Sequence, residues 1–260
     1  HYTGYEAVRK DIRCLRSALS GLPHSDAFMT AVTPVMWRGD TNVLDFYASE
    51  EAYLYAQADV LHEEYKAITD AGVVLQLDYA ALNPRTQLLR NKSQVTEEDL
   101  RTAMLLNIDI VNHALKGIPE ELARYHHCWG AINSPHTQDA PLREIVQDML
   151  RLRVGAYGVE AANPRHEHEW LVWKDVKLPD GKILIPGLVS QNTNVVEHPE
   201  LIAWRLKNFA SVAGKENIIA GVDCGFSQDW DLIRLHPSVQ WAKLRSLAEG
   251  AALATKELWS

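Results

Sequence analysis

The sequence predicts an α/β fold built on a parallel sheet. Short runs rich in Val, Ile and Leu alternate with segments whose apolar residues repeat at helical spacing. Each apolar run breaks into polar residues and is followed by a turn-rich segment and then a helix, which is typical of βα units. The chain of 260 residues is 47% hydrophobic and 23% charged, so it can bury a full core. A doubly wound sheet and a closed eight-stranded barrel both fit this pattern.

Six strands are predicted along the chain: Phe28 to Val32, Val73 to Leu77, Arg124 to Cys128, Ala156 to Ala161, Ile183 to Val189 and Ile218 to Asp223. Six strands are too few to close an eight-stranded barrel. If the architecture is a barrel, about two βα units are missing before His1, which agrees with the abrupt helical start of the chain. We therefore predict a single domain over residues 1–260 that is an N-terminally incomplete fragment.

The helices between these strands carry recognisable start and stop signals. An apolar face predicts a first helix from about Tyr5 to Ser20, and Thr96 with Asp99 resembles a capping box. Asp139 is a candidate N-cap for the apolar repeat that starts at Leu142. The last two signals are a helix start at Pro199 and a stop at Gly214.

Composition excludes several functional classes. The formal net charge is -8 and no dense cluster of Lys or Arg stands out, so we expect no nucleic-acid partner. No apolar run approaches the roughly 20 residues of a membrane span, so we expect a soluble protein with no membrane partner. Three cysteines in a chain of this length do not make a disulfide framework, which favours a reducing, cytoplasmic compartment.

Four good zinc ligands stand at the ends of three predicted strands. His126 and Cys128 lie two positions apart, so on one extended strand they point to the same side. Glu160 and Cys224 end two later strands, where working residues of parallel α/β folds collect. Sulfur and imidazole ligands with one carboxylate suit zinc. Each residue taken alone has a structural explanation, since a lone cysteine is usually a small buried apolar residue; we interpret Cys14 in this way.

Three further positions contain candidate site residues for which a structural role is also possible. Asp78 ends its strand and either binds a substrate amine or hydroxyl or caps a helix. His136 follows Ser134 and Pro135 in a loop from which it could reach a pocket. The polar segment from Arg165 to Glu169 contains a His-x-His pair, but we interpret it as solvated surface. The chain has no Gly-rich phosphate loop, no Gly-x-Ser-x-Gly elbow and no His-Glu-x-x-His motif.

At these residues the chain resembles the C-terminal barrel of cobalamin-independent methionine synthase and its relatives, which include epoxyalkane:coenzyme M transferases. The matching segments are YHHCWG, GVEAAN and NIIAGVDCG, and the likeness covers most of the chain from YTGYEAVRKDI onward. The resemblance implies a (β/α)8 TIM-type barrel, a zinc ion bound by His126, Cys128, Glu160 and Cys224, and activation of a thiol that accepts an alkyl group.

Two departures bear on the substrate. Methionine synthases have Asp-Glu-Pro-Ala where this chain keeps only Asp78, which resembles the family's ligand for the homocysteine amine. Ser190 and Asn192 stand where the family carries an Asp and a His. CWGAINSPHTQDAPL is instead similar to the pattern of the coenzyme M transferase-like branch. The resemblance thus suggests Asp78, His136, Ser190 and Asn192 as substrate-binding residues.

The function that the resemblance implies is zinc-dependent S-alkyl or methyl transfer, with a methyl group passing from a folate-type donor to homocysteine or a similar thiol. Glu160 is the ligand that we expect the incoming thiol to displace, since a carboxylate is the hardest of the four. The alternatives are alkylation of a small thiol by an epoxyalkane, a zinc hydrolase, and a binding barrel without turnover. The predicted partners are a small thiol and an alkyl donor; the sequence leaves open whether the chain forms a homo-oligomer.

Overall fold

The chain folds around a sheet of five parallel strands. The computed structural model describes residues 1–37, 45–79, 94–130, 135–137, 139–226 and 234–260. The strands are β1 (Phe28–Val32), β2 (Val74–Tyr79), β3 (Ala123–His127), β4 (Ala156–Val159) and β5 (Ile183–Pro186). They lie in the order β1-β2-β3-β4-β5, so each strand is next to its neighbour in sequence. The predicted α/β class with a parallel sheet is confirmed.

The helices between the strands agree with the predicted pattern. They are α1 (Tyr5–Leu19), α2 (Glu50–Asp70), α3 (Glu97–Ala114), α4 (Leu142–Met149), α5 (Pro199–Ala213) and α6 (Pro237–Leu258). Shorter 3-10 segments cover Pro34–Trp37, Glu120–Leu122, Glu167–Lys174 and Lys215–Asn217. None of the helices in the described part of the chain is both long and apolar enough to cross a membrane.

The chain divides into two compact units. The first unit contains His1–His126 and Asp148–Gly155, and the second contains His127–Gln147 and Ala156–Ser260. In the first unit β1 and β2 pair in parallel from Phe28 opposite Val74 to Val32 opposite Asp78. Its fully buried side chains include Leu54 and Ile68 of α2, Leu75 and Leu77 of β2, and Ile108 of α3.

The capping box predicted for α3 is present. The backbone N–H of Asp99 donates to Oγ1 of Thr96, and the N–H of Thr96 donates back to the Asp99 carboxylate at 3.0 Å. Two of the backbone donors at the helix start are thereby satisfied. The predicted first helix is also confirmed, and it buries Val8 and Ile12 as its apolar face requires.

In the second unit β4 and β5 pair in parallel, but the sixth predicted strand is interrupted. Residues 218–221 make only two isolated parallel bridges, Leu184 with Ile218 and Gly187 with Gly221. Ile219 and Gly221 donate to the β5 carbonyls of Leu184 and Pro186, both at 3.0 Å. The next bond of a regular ladder would need an N–H at position 186, and proline has none. The prediction of a continuous strand from Ile218 to Asp223 is therefore wrong.

Helices α5 and α6 pack against each other and complete the core of the second unit. The predicted start of α5 at Pro199 is confirmed, as is its stop at Gly214, whose φ of 88° suits a residue without a side chain. A buried apolar cluster joins these helices to the chain after β5; it consists of Leu188, Val189, Ile202, Ala203, Leu206 and Ala254. The cluster fixes the segment that carries Ser190 and Asn192.

Candidate metal centre and adjoining cavity

Three of the four predicted zinc ligands come together. His126, Cys128 and Cys224 each offer one ligand atom, and these atoms all lie within 4.8 Å of one another. His126 lies on β3 and Cys128 follows its end by one residue, so the two-residue period of an extended chain brings both to one side. His126 and Cys128 are buried, and Cys224 is half-buried. Cys14, which we interpreted from the sequence as a small buried residue, is instead exposed on α1, so that interpretation is wrong.

The chemistry of this cluster fits a zinc ion. A hydrogen bond with Cys224 and burial raise the pKa of Cys128 well above its usual value, so without a cation the sulfur stays protonated. A bound dication reverses this preference, because a coordinating metal deprotonates a thiol. One imidazole and two sulfurs are ligands that zinc accepts, and three protein ligands leave one tetrahedral position for another group. The residues present therefore suit a catalytic type of zinc site.

Glu160 lies beside this cluster. It directly follows β4 and is 4% exposed, and its carboxyl accepts from the Trp129 N–H at 3.3 Å and from Nδ2 of Asn163 at 2.7 Å. Burial, together with the charges of Asp223 and Cys224, raises the pKa of Glu160 to about 9. The Glu160 carboxylate is not part of the group within 4.8 Å, so its role as a metal ligand stays a prediction.

Asp223, which was not predicted as a site residue, directly precedes Cys224 and is hydrogen-bonded to the chain that follows Glu160. Its fully buried carboxylate accepts from the N–H groups of Ala161 and Ala162 at 2.7 and 2.8 Å. Burial raises the pKa of Asp223 to about 6, while these hydrogen bonds oppose the shift. An acid inside the apolar run IIAGVDCG was the sequence signal that could have identified it, because a buried carboxylate requires donors.

Asp223 occupies space that a side chain at position 187 would fill, and Gly187 has none. A Cβ atom at position 187 would lie 2.2 Å from Oδ1 of Asp223 and 2.7 Å from its backbone N and Cα. No real side chain fits at that distance, so this glycine allows the end of β5 to approach the Cys224 segment. The close approach places the Asp223 carboxylate at the N–H groups after Glu160.

A cavity of about 710 Å³ in the second unit is lined by four of the residues that were predicted to form the site. These residues are His136, Glu160, Ser190 and Asn192. Asp78 does not line this cavity; it lies on β2 in the first unit, where its carboxylate accepts from Nε2 of Gln76 at 2.7 Å. The roles of all five in substrate binding or catalysis remain predictions.

Two sequence interpretations are wrong in the wall of this cavity. His166 and Glu169 are 3% and 5% exposed, so the segment from Arg165 to Glu169 is not a solvated loop throughout. Nε2 of His166 lies 3.1 Å from Asp139, and its Nδ1 lies 2.8 Å from Glu169. Polarity alone cannot distinguish a solvated residue from one whose hydrogen bonds are satisfied by distant partners.

Asp139 is also not the N-cap of α4. The helix begins at Leu142, and the N–H of Leu142 donates at 2.7 Å to Glu169, which is 27 positions further along the chain. The Asp139 carboxylate instead contacts the rings of His136 and His166. A carboxylate distant in sequence thus takes the capping role that a local pattern had assigned to Asp139.

Two buried cationic side chains, Arg205 and Lys243, make hydrogen bonds to the remaining segments around the cavity. Arg205 donates to the carbonyls of Leu188 and Ala162 and pairs with Glu167 at 2.7 Å. Nζ of Lys243 lies 2.8 Å from the Glu197 carboxylate, whose other oxygen accepts from the N–H of Ser190. Because both cations already have anionic and carbonyl partners, they serve to position the wall.

Comparisons with known proteins place the fold. No protein-family model matches the sequence, and no curated protein matches it. Among solved structures, the chain is similar to the B12-independent methionine synthase from Shewanella sp. W3-18-1 in complex with selenomethionine. The match has a TM-score of 0.73 and 19% identity, and it covers 100% of this chain and 68% of that chain. This chain therefore has a methionine synthase-like α/β fold, which agrees with the predicted barrel class, whereas the epoxyalkane:coenzyme M transferase branch gains no support.

Proposed function

We propose that this protein is a zinc-dependent thiol methyltransferase or alkyltransferase of the methionine synthase type. The observation that carries the proposal is the group formed by His126, Cys128 and Cys224, whose ligand atoms lie within 4.8 Å of one another. The methionine synthase-like fold supports it. Glu160 lies beside the metal group and lines the cavity, and its charge contributes to the raised pKa of Cys128.

The metal ion and the protein side chains have separate roles in the proposed reaction. When bound, zinc supplies an open position in which a substrate thiol is held as the nucleophilic thiolate at neutral pH. His126, Cys128 and Cys224 would hold the ion, and Glu160 would be the ligand that a substrate thiol replaces. A zinc dication with two thiolates and a carboxylate would carry a net charge of about -1, so a sulfur added to the site would stay electron-rich.

The cavity accommodates both reactants. A volume of about 710 Å³ falls in the range of sites for small molecules and cofactors. Ser190, Asn192 and His136 offer polar contacts to the substrates in this cavity; Asp78, which the family resemblance suggests as the ligand of a substrate amine, does not line it. The thiol is homocysteine or a similar small thiol, and the methyl donor is of the folate type.

A second candidate is the alkylation of a small thiol by an epoxyalkane, as in the coenzyme M transferases. The basis for this candidate is the sequence around the PHTQD segment, which is similar to the pattern of that branch; His136 and Asp139 of the segment line the cavity. Ser190 and Asn192 provide no acid where methionine synthases carry an Asp and a His. A zinc hydrolase fits less well, since two thiolates make the ion a poor Lewis acid for activating water. A binding barrel without turnover is the remaining alternative.

Metal content and alkyl transfer test the proposal together. We expect about one zinc per chain in protein purified without chelator, measured by mass spectrometry, and loss of that zinc in Cys224→Ser. Cys14→Ser is the matched control, because Cys14 is exposed on α1 and should leave zinc unchanged. The Cys224→Ser variant, once it has lost zinc, should no longer alkylate homocysteine or coenzyme M. Full alkyl transfer by a zinc-free Cys224→Ser protein would contradict the proposal.

A further inference from the structure

Arg165 is a cation in the cavity wall that forms no ion pair with any carboxylate in the described part of the chain. Its guanidinium donates one hydrogen bond to the protein, from Nη2 to the carbonyl of Thr137 at 3.2 Å. A guanidinium has five N–H donors and stays protonated at neutral pH. The remaining donors have no acceptor among the residues that the structure describes, so they are available to a bound molecule.

The other basic side chains of the wall already have protein partners. They are His136, His166, His198 and Arg205. Arg205 is paired with Glu167, and Asp139 contacts the rings of the first two histidines. Nδ1 of the third histidine accepts a backbone N–H at the start of α5. For Arg165, by contrast, the described residues provide no counter-ion.

Three carboxylates line the same cavity, and each is held by groups other than Arg165. They are Asp139, Glu160 and Glu197. The first contacts two imidazole rings, the second accepts from Asn163, and the third is paired with Lys243. Because a carboxylate repels an anion, an anionic group in this cavity is favoured beside Arg165 and not beside these three residues.

The backbone of Arg165 is connected to Glu160 through the buried side chain of Asn163. Oδ1 of Asn163 accepts the N–H of Arg165 at 3.1 Å, and its Nδ2 donates to the Glu160 carboxylate at 2.7 Å. The carbonyl of Thr137 holds the guanidinium end of the side chain. A cation that is already held in place loses little conformational entropy when it binds a ligand, which favours affinity.

Arg165 and Glu160 lie in different environments of the cavity. Arg165 is exposed although it lines the cavity, so it lies at the entrance. Glu160 is 4% exposed and lies beside the metal group. Burial of a charged group is costly, so the anionic end of a ligand is more stable at the hydrated entrance than in the interior. The cavity therefore suits a molecule with sulfur at one end and an anion at the other.

We propose that Arg165 determines substrate specificity by binding a carboxylate or sulfonate group of a substrate. A guanidinium presents parallel N–H donors that match two oxygens of such a group. The anion has two possible sources. It belongs either to the thiol, as in homocysteine and coenzyme M, or to the glutamate part of a folate-type donor. This inference rests on the proposed function and deepens it.

Binding of matched ligand pairs, measured by isothermal titration calorimetry, tests the assignment without turnover. Methionine and 2-(methylthio)ethanesulfonate carry the anion, whereas methioninol and 2-(methylthio)ethanol do not. Arg165→Gln should weaken binding of the anionic ligands by about 10- to 100-fold and that of the neutral-ended ligands by less than about threefold. Arg165→Lys keeps the charge and should restore part of the difference. Arg143→Gln is the matched control, because Arg143 is an exposed arginine of α4 that does not line the cavity.

A third ligand pair identifies the source of the anion. Tetrahydrofolate carries a glutamate, and 6-methyltetrahydropterin lacks it. A loss in Arg165→Gln that is confined to methionine and the sulfonate assigns the anion to the thiol, and a loss confined to tetrahydrofolate assigns it to the donor. Equal weakening of anionic and neutral ligands would show a structural role and overturn the assignment. A change below threefold for every anionic ligand would overturn it as well.

Kinetics separate this inference from the proposed function. With methyl iodide as the donor, the ratio of kcat/KM for coenzyme M to that for 2-mercaptoethanol should fall by about 10- to 100-fold in Arg165→Gln if the thiol carries the anion, chiefly through the KM of coenzyme M. A zinc-containing protein that alkylates both thiols without this change, and binds tetrahydrofolate equally in both forms, would overturn the role of Arg165 alone. A wild-type protein without zinc or without transfer to any thiol would contradict the proposed function, while the calorimetric comparison still decides whether Arg165 binds the anion.

Discussion

Nζ of Lys243 lies 2.8 Å from Oε2 of Glu197, in an ion pair whose lysine side chain is 0% exposed. The same ammonium donates to the carbonyl of Val195 at 2.6 Å, and Oε1 of Glu197 accepts from the N–H of Ser190. Oγ of Ser246 also donates to the carbonyl of Glu197. Through this pair α6 fixes the loop that forms one side of the cavity.

Removing one member of this pair should destabilise the protein strongly. Lys243→Met leaves the Glu197 carboxylate buried without its cation, and breaking a buried pair in this way costs about 3–5 kcal/mol of unfolding free energy. Adding Glu197→Gln removes the unpaired charge and keeps an oxygen for the Ser190 N–H, so the double variant should recover part of the loss. Urea denaturation measures the effect.

Lys207→Met is the control for this experiment. Lys207 also lies in a salt bridge of the second unit, with Glu257, but both side chains are more than a third exposed. An exposed pair contributes about 0–1 kcal/mol, so this variant should remain close to the wild type. Similar losses in Lys207→Met and Lys243→Met would show that burial does not make the difference.

Gly250 allows α5 and α6 to approach closely. A Cβ atom at this position would lie 2.6 Å from Cβ of Ile202 and 2.7 Å from the carbonyl oxygen of Pro199. Gly250→Ala should therefore destabilise the protein by about 1–3 kcal/mol through overpacking, although alanine is the better helix former by about 1 kcal/mol. Ala252→Gly, at an exposed position of α6, measures the propensity alone. A more stable Gly250→Ala protein would show that the helices separate easily.

Local signals predicted the elements of the fold well, because those signals act within a few residues. The capping box at Thr96 and the boundaries of α5 at Pro199 and Gly214 all depend on neighbouring backbone groups. The failure at Ile218 to Asp223 arose across strands, since the missing donor belongs to Pro186 on β5. The sequence pattern of one strand gives no information about the hydrogen-bond donors of the neighbouring strand.

The grouping of three residues that could hold a metal was predictable from the sequence, but the surroundings of that group were not. His126 and Cys128 share a strand, so the two-residue period brings them together, and Cys224 was recognised by its place at a later strand end. Asp139, His166 and Glu169 meet through hydrogen bonds between residues up to 27 positions apart. Their burial depends on tertiary packing, which composition and periodicity do not specify.

Gly187 should be intolerant of any side chain because of Asp223. Gly187→Ala would force Asp223 from its hydrogen bonds with Ala161 and Ala162, and we expect a loss of about 1–3 kcal/mol in unfolding free energy. Gly225→Ala is the matched control in the same region, because a Cβ there meets no atom within 4 Å. Urea denaturation of both variants is the measurement, and equal stabilities would show that Asp223 can move without cost.

Metal removal should lower the thermal stability of the wild-type protein and not that of Cys224→Ser. A ligand that binds only the folded state at 100 times its Kd stabilises by about 2.7 kcal/mol, because unfolding must release it. For a protein of this size that corresponds to roughly 5–10 °C in Tm. Thermal unfolding with zinc and with excess chelator should show this difference for the wild type and for Cys14→Ser, whose exposed thiol lies outside the metal group. An equal chelator effect in Cys224→Ser would place the stabilising metal elsewhere, because that variant lacks one of the three ligands on which the proposed centre depends.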